Sequence, residues 1–242
     1  MSIFKIKSQK SLCDSVYEMI LEGDTSAITS PGQFVNIKLP ELYLRRPISV
    51  CDAKNGELKL IYKVIGKGTE KMVSLPTGYE FDVLTGLGNG FTIKDSKSCV
   101  LVGGGVGVPP MYMLCKKLIE KGIKPTVVMG FASAKDVFYE EEFKALGVDV
   151  NVATNDGSHG AKGFVTTLLD KMKFDTLYAC GPMPMLKALT KYDADSQLSL
   201  EERMGCGFGA CMGCSIQTKN GYKRVCKDGP VFDKEELLWD TI

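Results

Sequence analysis

Cys206, Cys211, Cys214 and Cys226 follow the spacing C-x4-C-x2-C-x11-C. Thiolates are soft ligands, and a C-x4-C-x2-C run with a fourth cysteine further on is the ligand spacing of plant-type [2Fe-2S] clusters, in which four sulfurs surround two irons. Gly205, Gly207, Gly209 and Gly213 interleave with these cysteines, which allows a loop tight enough to turn its amides toward the sulfurs. Four cysteines also make a tetrahedral zinc site, and the residues leave that alternative open. Zinc sites usually present two short C-x2-C-like pairs, whereas eleven residues separate Cys226 from Cys214.

A second constellation follows the apolar run Cys99-Val100-Leu101-Val102. It reads Gly103-Gly104-Gly105-Val106-Gly107-Val108-Pro109-Pro110. Between a strand and a helix, such glycines let backbone amides approach a pyrophosphate, and the helix N-terminus adds positive potential. Proline suits the first helical turn, where its missing N–H is not needed. The spacing departs from the usual G-x-G-x-x-G, because Val108 stands at the last position; a plain tight turn is the bland alternative. Cys180-Gly181-Pro182 forms a similar turn out of a later apolar run. His159, the only histidine, reads as a surface loop residue rather than a proton donor.

The elements that must carry these residues fall into three segments. Residues 1–95 read as short strands broken by turn residues. Met1 to Lys7 alternates apolar and charged positions, as does Gln33 to Leu39 after Pro31-Gly32, and Glu57 to Val64 follows Asn55-Gly56, a strong hairpin signal. This texture predicts an antiparallel β-barrel or sandwich. Residues 96–200 place β-rich runs at Cys99–Val102, Thr126–Met129, Val148–Val152 and Thr176–Ala179, with helical stretches between them. In one of these, Pro110 to Glu120, Met111, Leu114, Cys115 and Leu118 share a face. Strands alternating with helices predict a Rossmann-like parallel-sheet α/β domain, whose strand–helix loops lie on the edge where open α/β sheets bind ligands. Residues 201–242 hold the glycine- and cysteine-rich stretch and end in an acidic, helix-like run from Asp233 to Trp239.

Composition is that of an ordinary globular chain. Of 242 residues, 44% are hydrophobic and 24% charged, with a net charge of +1, and there is no basic run to hold nucleic acid. The first residues lack the apolar core of a signal peptide, and nothing suggests a membrane span, so a cytoplasmic location is expected. Nine cysteines in a reducing compartment point to metal rather than disulfides. Cys13, Cys51, Cys99 and Cys115 read as core residues.

As a set, Arg46-Pro47-Ile48-Ser49, Gly66-Lys67-Gly68-Thr69, the run Gly103 to Pro109 and Cys180-Gly181-Pro182 resemble the ferredoxin-reductase family. The extension from Glu202-Arg203-Met204-Gly205-Cys206-Gly207 through Cys226-Lys227-Asp228-Gly229-Pro230 narrows the likeness. It is similar to the electron-transfer subunits of NAD-dependent (class B) dihydroorotate dehydrogenases. The resemblance implies an FAD-binding barrel, an NAD-binding domain and a [2Fe-2S] segment. It implies that Arg46 meets the FAD pyrophosphate, a task suited to a forked guanidinium, and that Pro47, Ile48 and Ser49 line the flavin. Ile61, Tyr62 and Lys63 would run along the flavin nucleotide, and Gly68 and Thr69 would open a helix toward its phosphate. Gly103, Gly104, Gly105 and Gly107, with Cys180, Gly181 and Pro182, would take the nicotinamide nucleotide; Cys180 reads equally as a small buried residue ending a strand. Ile48 stands where the wider family has an aromatic residue, and Gly86 to Phe91 resembles the domain junction.

The resemblance further implies a partner: an FMN-containing dihydroorotate dehydrogenase catalytic subunit, two copies of each chain forming a heterotetramer. The partner would oxidise dihydroorotate in pyrimidine biosynthesis and release electrons through the cluster and FAD to NAD+, with no catalytic acid or base supplied by this chain. The loop Phe131 to Asp136 offers a single lysine, Lys135, which favours NAD over NADP. The alternative reading is the flavin and [2Fe-2S] subunit of a sulfide dehydrogenase or of an NADH-dependent ferredoxin:NADP reductase. A redox-sensing regulatory module and a stand-alone diaphorase are two further alternatives.

Overall fold

The alternation in Gln33 to Leu39 turns Val35, Ile37 and Leu39 to one side, and all three are buried in the core of a closed barrel. A computed structural model describes residues 2–241; Met1, where the expected first strand begins, lies outside the described residues. The barrel consists of β1 (Ser2–Cys13), β2 (Val16–Glu22), β3 (Phe34–Ile37), β4 (Arg46–Lys54), β5 (Glu57–Lys63) and β6 (Glu80–Leu87). All six pair antiparallel in the order β1-β2-β5-β4-β3-β6, and β6 closes onto β1. Asn55 and Gly56 both take positive φ, 54° and 79°, the conformation that a two-residue turn needs to match strand twist. Helix α1 (Lys67–Ser74) covers one end of the barrel by burying Met72.

The second unit follows the expected β–α alternation. Its elements are β7 (Cys99–Gly104), α2 (Val108–Glu120), β8 (Thr126–Phe131), α3 (Glu140–Lys144), β9 (Asp149–Thr154), β10 (Ala161–Lys162), α4 (Val165–Leu169), β11 (Thr176–Cys180), α5 (Met183–Leu189) and β12 (Asp195–Ser199). Met111, Leu114, Cys115 and Leu118 on α2 are all buried, as their shared face predicts. The C-terminal segment adds β13 (Ser215–Thr218), β14 (Gly221–Arg224) and β15 (Val231–Asp233). The sheet order is β10-β9-β8-β7-β11-β12-β15, with β15 alone antiparallel. The chain order reverses between β7 and β11, the switch point at which doubly wound sheets open a crevice for ligands.

Two features differ from expectation. Beyond the four expected strands the α/β unit has the two-residue β10 and the strand β12, which periodicity does not mark because Ser196, Gln197 and Ser199 are polar yet buried. Gln197 uses its amide for the backbone N–H of Thr92 and for Asp233. The run Asp233 to Trp239 is not helix-like beyond a 3-10 turn at Lys234–Glu236. Its start is taken into the sheet by pairing with β12, and Leu237 is buried beside Thr218.

The barrel and the α/β unit share a core. Val16, Cys51 and Ile61 from the outside of the barrel pack with Met111, Leu114 and Leu118. Lys116 on α2 pairs with Asp52 on β4 at 2.6 Å. No described helix is long and apolar enough to cross a membrane.

Candidate functional site

Arg46 to Ser49 form the half-buried start of β4, before the strand sinks into the core at Val50. The two arginines have different tasks. Arg45 is structural: its guanidinium pairs with Asp82 at 2.8 Å and donates to the backbone oxygens of Asp82 and Asn36. Arg46 has no carboxylate partner among the described residues. Its guanidinium donates to the Leu44 carbonyl and lies directly on Gly68, where an added Cβ would come within 2.0 Å of Nε. A free cation thus sits against the first turn of α1, whose leading amides have no intrahelical acceptor. The Thr69 hydroxyl accepts from Ile65 N–H and donates to the Gly66 carbonyl, which shapes that turn. The pairing of cation, glycine and helix N-terminus fits a pyrophosphate.

The third stretch assigned to the flavin contributes less side chain than expected. Ile61 faces the core shared by barrel and α/β unit, and Tyr62 is buried inside the barrel with its hydroxyl on Gln9 at 2.8 Å. Alternation on a barrel wall sends successive side chains to opposite, already filled layers. Lys63 alone of the three is exposed, so a ligand at Ile61 and Tyr62 meets backbone.

The two glycine loops meet at the switch point. Gly103 on β7 pairs with Cys180 on β11. A Cβ on Gly107 would lie 2.1 Å from the Cys180 carbonyl oxygen and 2.6 Å from the Gly181 nitrogen. Gly104 is pressed somewhat less closely, by Met185 at 2.7 Å and Pro182 at 2.9 Å, and Gly103 by Val108 at 2.8 Å. Gly105, at φ 52°, faces open space, so backbone there is reachable by a ligand without side-chain obstruction. Pro109 and Pro110 occupy the first turn of α2. Cys180 is half-buried at this edge, and burial pushes its thiol up to about 12, so it is a neutral group there. His159 pairs with Glu140 at 2.7 Å on the surface, in keeping with a loop role.

The four clustered cysteines form two pairs. Cys206 N–H donates to Cys211 Sγ at 3.4 Å, and Ala210 N–H donates to Cys206 Sγ at 3.2 Å. Cys226 N–H donates to Cys214 Sγ at 3.4 Å. Burial pushes the Cys206 thiol up, but the amides of Phe208, Cys211 and Ala210 outweigh it and bring the thiol down to about 6, which makes it a thiolate at neutral pH. Two cysteine pairs with amides donating to their sulfurs fit a binuclear cluster, which takes two sulfurs on each iron. Arg224 braces the loop by donating to the Gly209 carbonyl at 2.6 Å.

Three contacts that the motifs do not signal join these sites. Asn36 on β3 donates its amide to the Cys206 carbonyl at 3.2 Å. Asn89, at the junction after β6, donates its backbone N–H to Gly229 at 2.6 Å and its side-chain amide to Asp228 at 3.2 Å. Tyr139, before α3, donates its hydroxyl to Glu18 on β2 at 2.5 Å. Asn36 and Tyr139 are buried and Asn89 is exposed, and none of the three stands in a motif that would single it out.

Known proteins bear on this arrangement. Residues 201–238 match the family described as "Iron-sulfur cluster binding domain of dihydroorotate dehydrogenase B", and residues 101–191 match "Oxidoreductase NAD-binding domain". The chain is 45% identical over 250 residues to "Dihydroorotate dehydrogenase B (NAD(+)), electron transfer subunit" of Shouchella clausii (strain KSM-K16), covering 96% of each. It is 45% identical over 248 residues to the protein of the same name from Bacillus velezensis, again covering 96% of each. Among solved structures, a chain of the NADH-dependent reduced ferredoxin-NADP oxidoreductase is similar, with a TM-score of 0.89 and 33% identity over 98% of this chain and 90% of that one. The FAD/NAD-binding domain of nitric oxide dioxygenase from Vibrio cholerae shares the fold, with a TM-score of 0.68 at 23% identity over 78% of this chain and 90% of that one.

Proposed function

This chain belongs to the family of electron transfer subunits of NAD+-dependent dihydroorotate dehydrogenase B, and from that membership we propose how its residues divide the task. The chain is an oxidoreductase subunit of pyrimidine biosynthesis that works with a catalytic partner subunit. When bound, FAD and the [2Fe-2S] cluster supply the exchange between single electrons and the hydride that NAD+ accepts.

Arg46 and the first turn of α1, with Gly68 and Thr69, bind the FAD pyrophosphate, while Pro47, Ile48 and Ser49 border the flavin. Ile61 and Tyr62 offer backbone to it, and Lys63 its exposed side chain. Gly103, Gly104, Gly105 and Gly107 cradle the nicotinamide nucleotide against Cys180, Gly181 and Pro182. Cys206, Cys211, Cys214 and Cys226 would hold the cluster through their four thiolates. No residue is asked to move a proton. The chain divides at about residues 95 and 200 into FAD, NAD and cluster-binding units, the last lending a strand to the NAD unit. The partner carries FMN and assembles with this chain two by two in the cytoplasm.

What supports this reading is that one chain carries Arg46 against the first turn of α1, two glycine turns side by side at the switch point and two hydrogen-bonded cysteine pairs. The likeness to the ferredoxin-NADP oxidoreductase chain favours a second reading, in which a different partner is served. Affinity capture of the tagged chain from its native cell separates the two. Recovery of an FMN-containing dihydroorotate dehydrogenase subunit, with about one FAD and two irons bound per copy of this chain, is the expected outcome. Recovery of a ferredoxin- or sulfide-oxidising partner instead would replace it.

A further inference from the structure

Strand alternation places Asn36 on the outer wall of the barrel, since its neighbours Val35 and Ile37 point into the core. An outward asparagine on a barrel is ordinarily solvated, yet Asn36 is only 1% exposed. What covers it is the cysteine loop. The Asn36 amide nitrogen donates to the Cys206 carbonyl at 3.2 Å. Gly207, at φ 78°, packs so closely that a Cβ would come within 2.2 Å of that nitrogen. Among the described residues, this is the one hydrogen bond between residues 201–214 and the barrel. The other amide atom, Oδ1, is buried with no partner in the protein, an arrangement that a purely structural contact does not call for. Across the ladder, Asn36 pairs with Pro47 and its neighbour Val35 pairs with Ile48, the residues assigned above to the edge of the flavin.

We propose that Asn36 is a positioning residue, locking the Cys206 loop onto the flavin-bearing strand and setting the separation across which electrons pass between cluster and flavin. The proposal rests on the cofactor assignment given under the proposed function. It adds a residue outside every motif and a physical task for it. Partners in the outer shell of a metal site orient the ligands, and losing one typically costs about 10- to 100-fold in affinity or activity. Hydrogen bonding around the sulfurs also tunes the cluster potential.

The test is an anaerobic rapid-mixing experiment on the full chain carrying its FAD and cluster, with NADH as reductant. Flavin bleaching is followed optically, and the one-electron-reduced cluster is followed by electron paramagnetic resonance. Wild-type protein should show both signals. If either is absent, the cofactor assignment itself fails. In Asn36→Leu, of similar size but without the amide, cluster reduction should lag flavin bleaching by about 10- to 100-fold more than in wild type, with shifted g-values. Gly207→Ala attacks the same contact from the loop side while keeping the amide, and should move both readouts in the same direction. Combined, the two changes should be non-additive, as expected for residues in contact. Should Asn36→Leu be recovered without its cluster, Gly207→Ala carries the comparison. Wild-type g-values and wild-type lag in the cluster-loaded variants would overturn the proposal.

Discussion

Single side chains decide whether cofactors are held. Arg46 is the sharpest case, because its guanidinium has no carboxylate among the described residues and rests on the first turn of α1. Charge-assisted hydrogen bonds of this kind contribute about 1.5–3 kcal/mol, so Arg46→Ala should weaken FAD binding about 10- to 100-fold. Arg46→Lys should recover part of it, since it restores the charge but not the fork. Fluorescence titration of the flavin-free protein measures both. The cysteines give a contrast: serine at Cys206, Cys211, Cys214 or Cys226 should abolish the visible absorption of the cluster, whereas Cys99→Ala and Cys115→Ala should retain it. Burial pushes the last two thiols up to about 12, and they contribute packing, not ligation. The four clustered cysteines and Arg46 stand out in the sequence because spacing and neighbours mark them. Asn36 is not, since one outward asparagine looks like any solvated residue until a loop 170 positions away covers it.

At the scale of elements, the account depends on how the α/β unit is fastened to the barrel. The bond from Tyr139 to Glu18 crosses that junction, with the Lys59 ammonium near the rings of Tyr112 and Tyr139, 6.0 and 5.8 Å from their centres. Burial raises the Glu18 carboxyl, but the Tyr139 hydroxyl together with Lys59 and Lys10 outweighs it and holds the group below its ordinary value of 4.5. A folded-state value below the unfolded one means that this contribution is fully present above about pH 4.5 and is lost as pH falls through the lower value. Tyr139→Phe should therefore cost about 1–3 kcal/mol at neutral pH, read from urea midpoints. It should also flatten the loss of stability between about pH 4.5 and the lower folded-state value. Most strands were readable because Asn55-Gly56 and the apolar runs announce them. Strand β12 was not, since its buried Ser196 and Gln197 satisfy themselves with local and cross-strand partners, and polar composition alone argues for a loop. The tail from Asp233 misled for the opposite reason: its acidic residues favour a helix start, but pairing with β12 commits the chain to a strand first.

Across the whole molecule, the C-terminal segment is the piece that unites the rest. It lends β15 to the sheet, buries Cys214, Ile216 and Val225 against the core that holds Val102 and Leu198, and reaches the barrel through Asn36 and Asn89. The order of the three units follows from sequence texture, but their mutual packing does not, because apolar residues on the outside of the barrel such as Val16 and Ile61, and single residues such as Asn36 and Gly207, carry no mark of what they pack against. The direct test is dihydroorotate-dependent NADH formation by the purified catalytic subunit with and without this chain. The account predicts no NADH from the catalytic subunit alone and sustained NADH formation once this chain, loaded with FAD and cluster, is added; it also predicts loss of that activity with Cys206→Ser. NADH formation by the catalytic subunit alone, or none when the loaded chain is present, would contradict it.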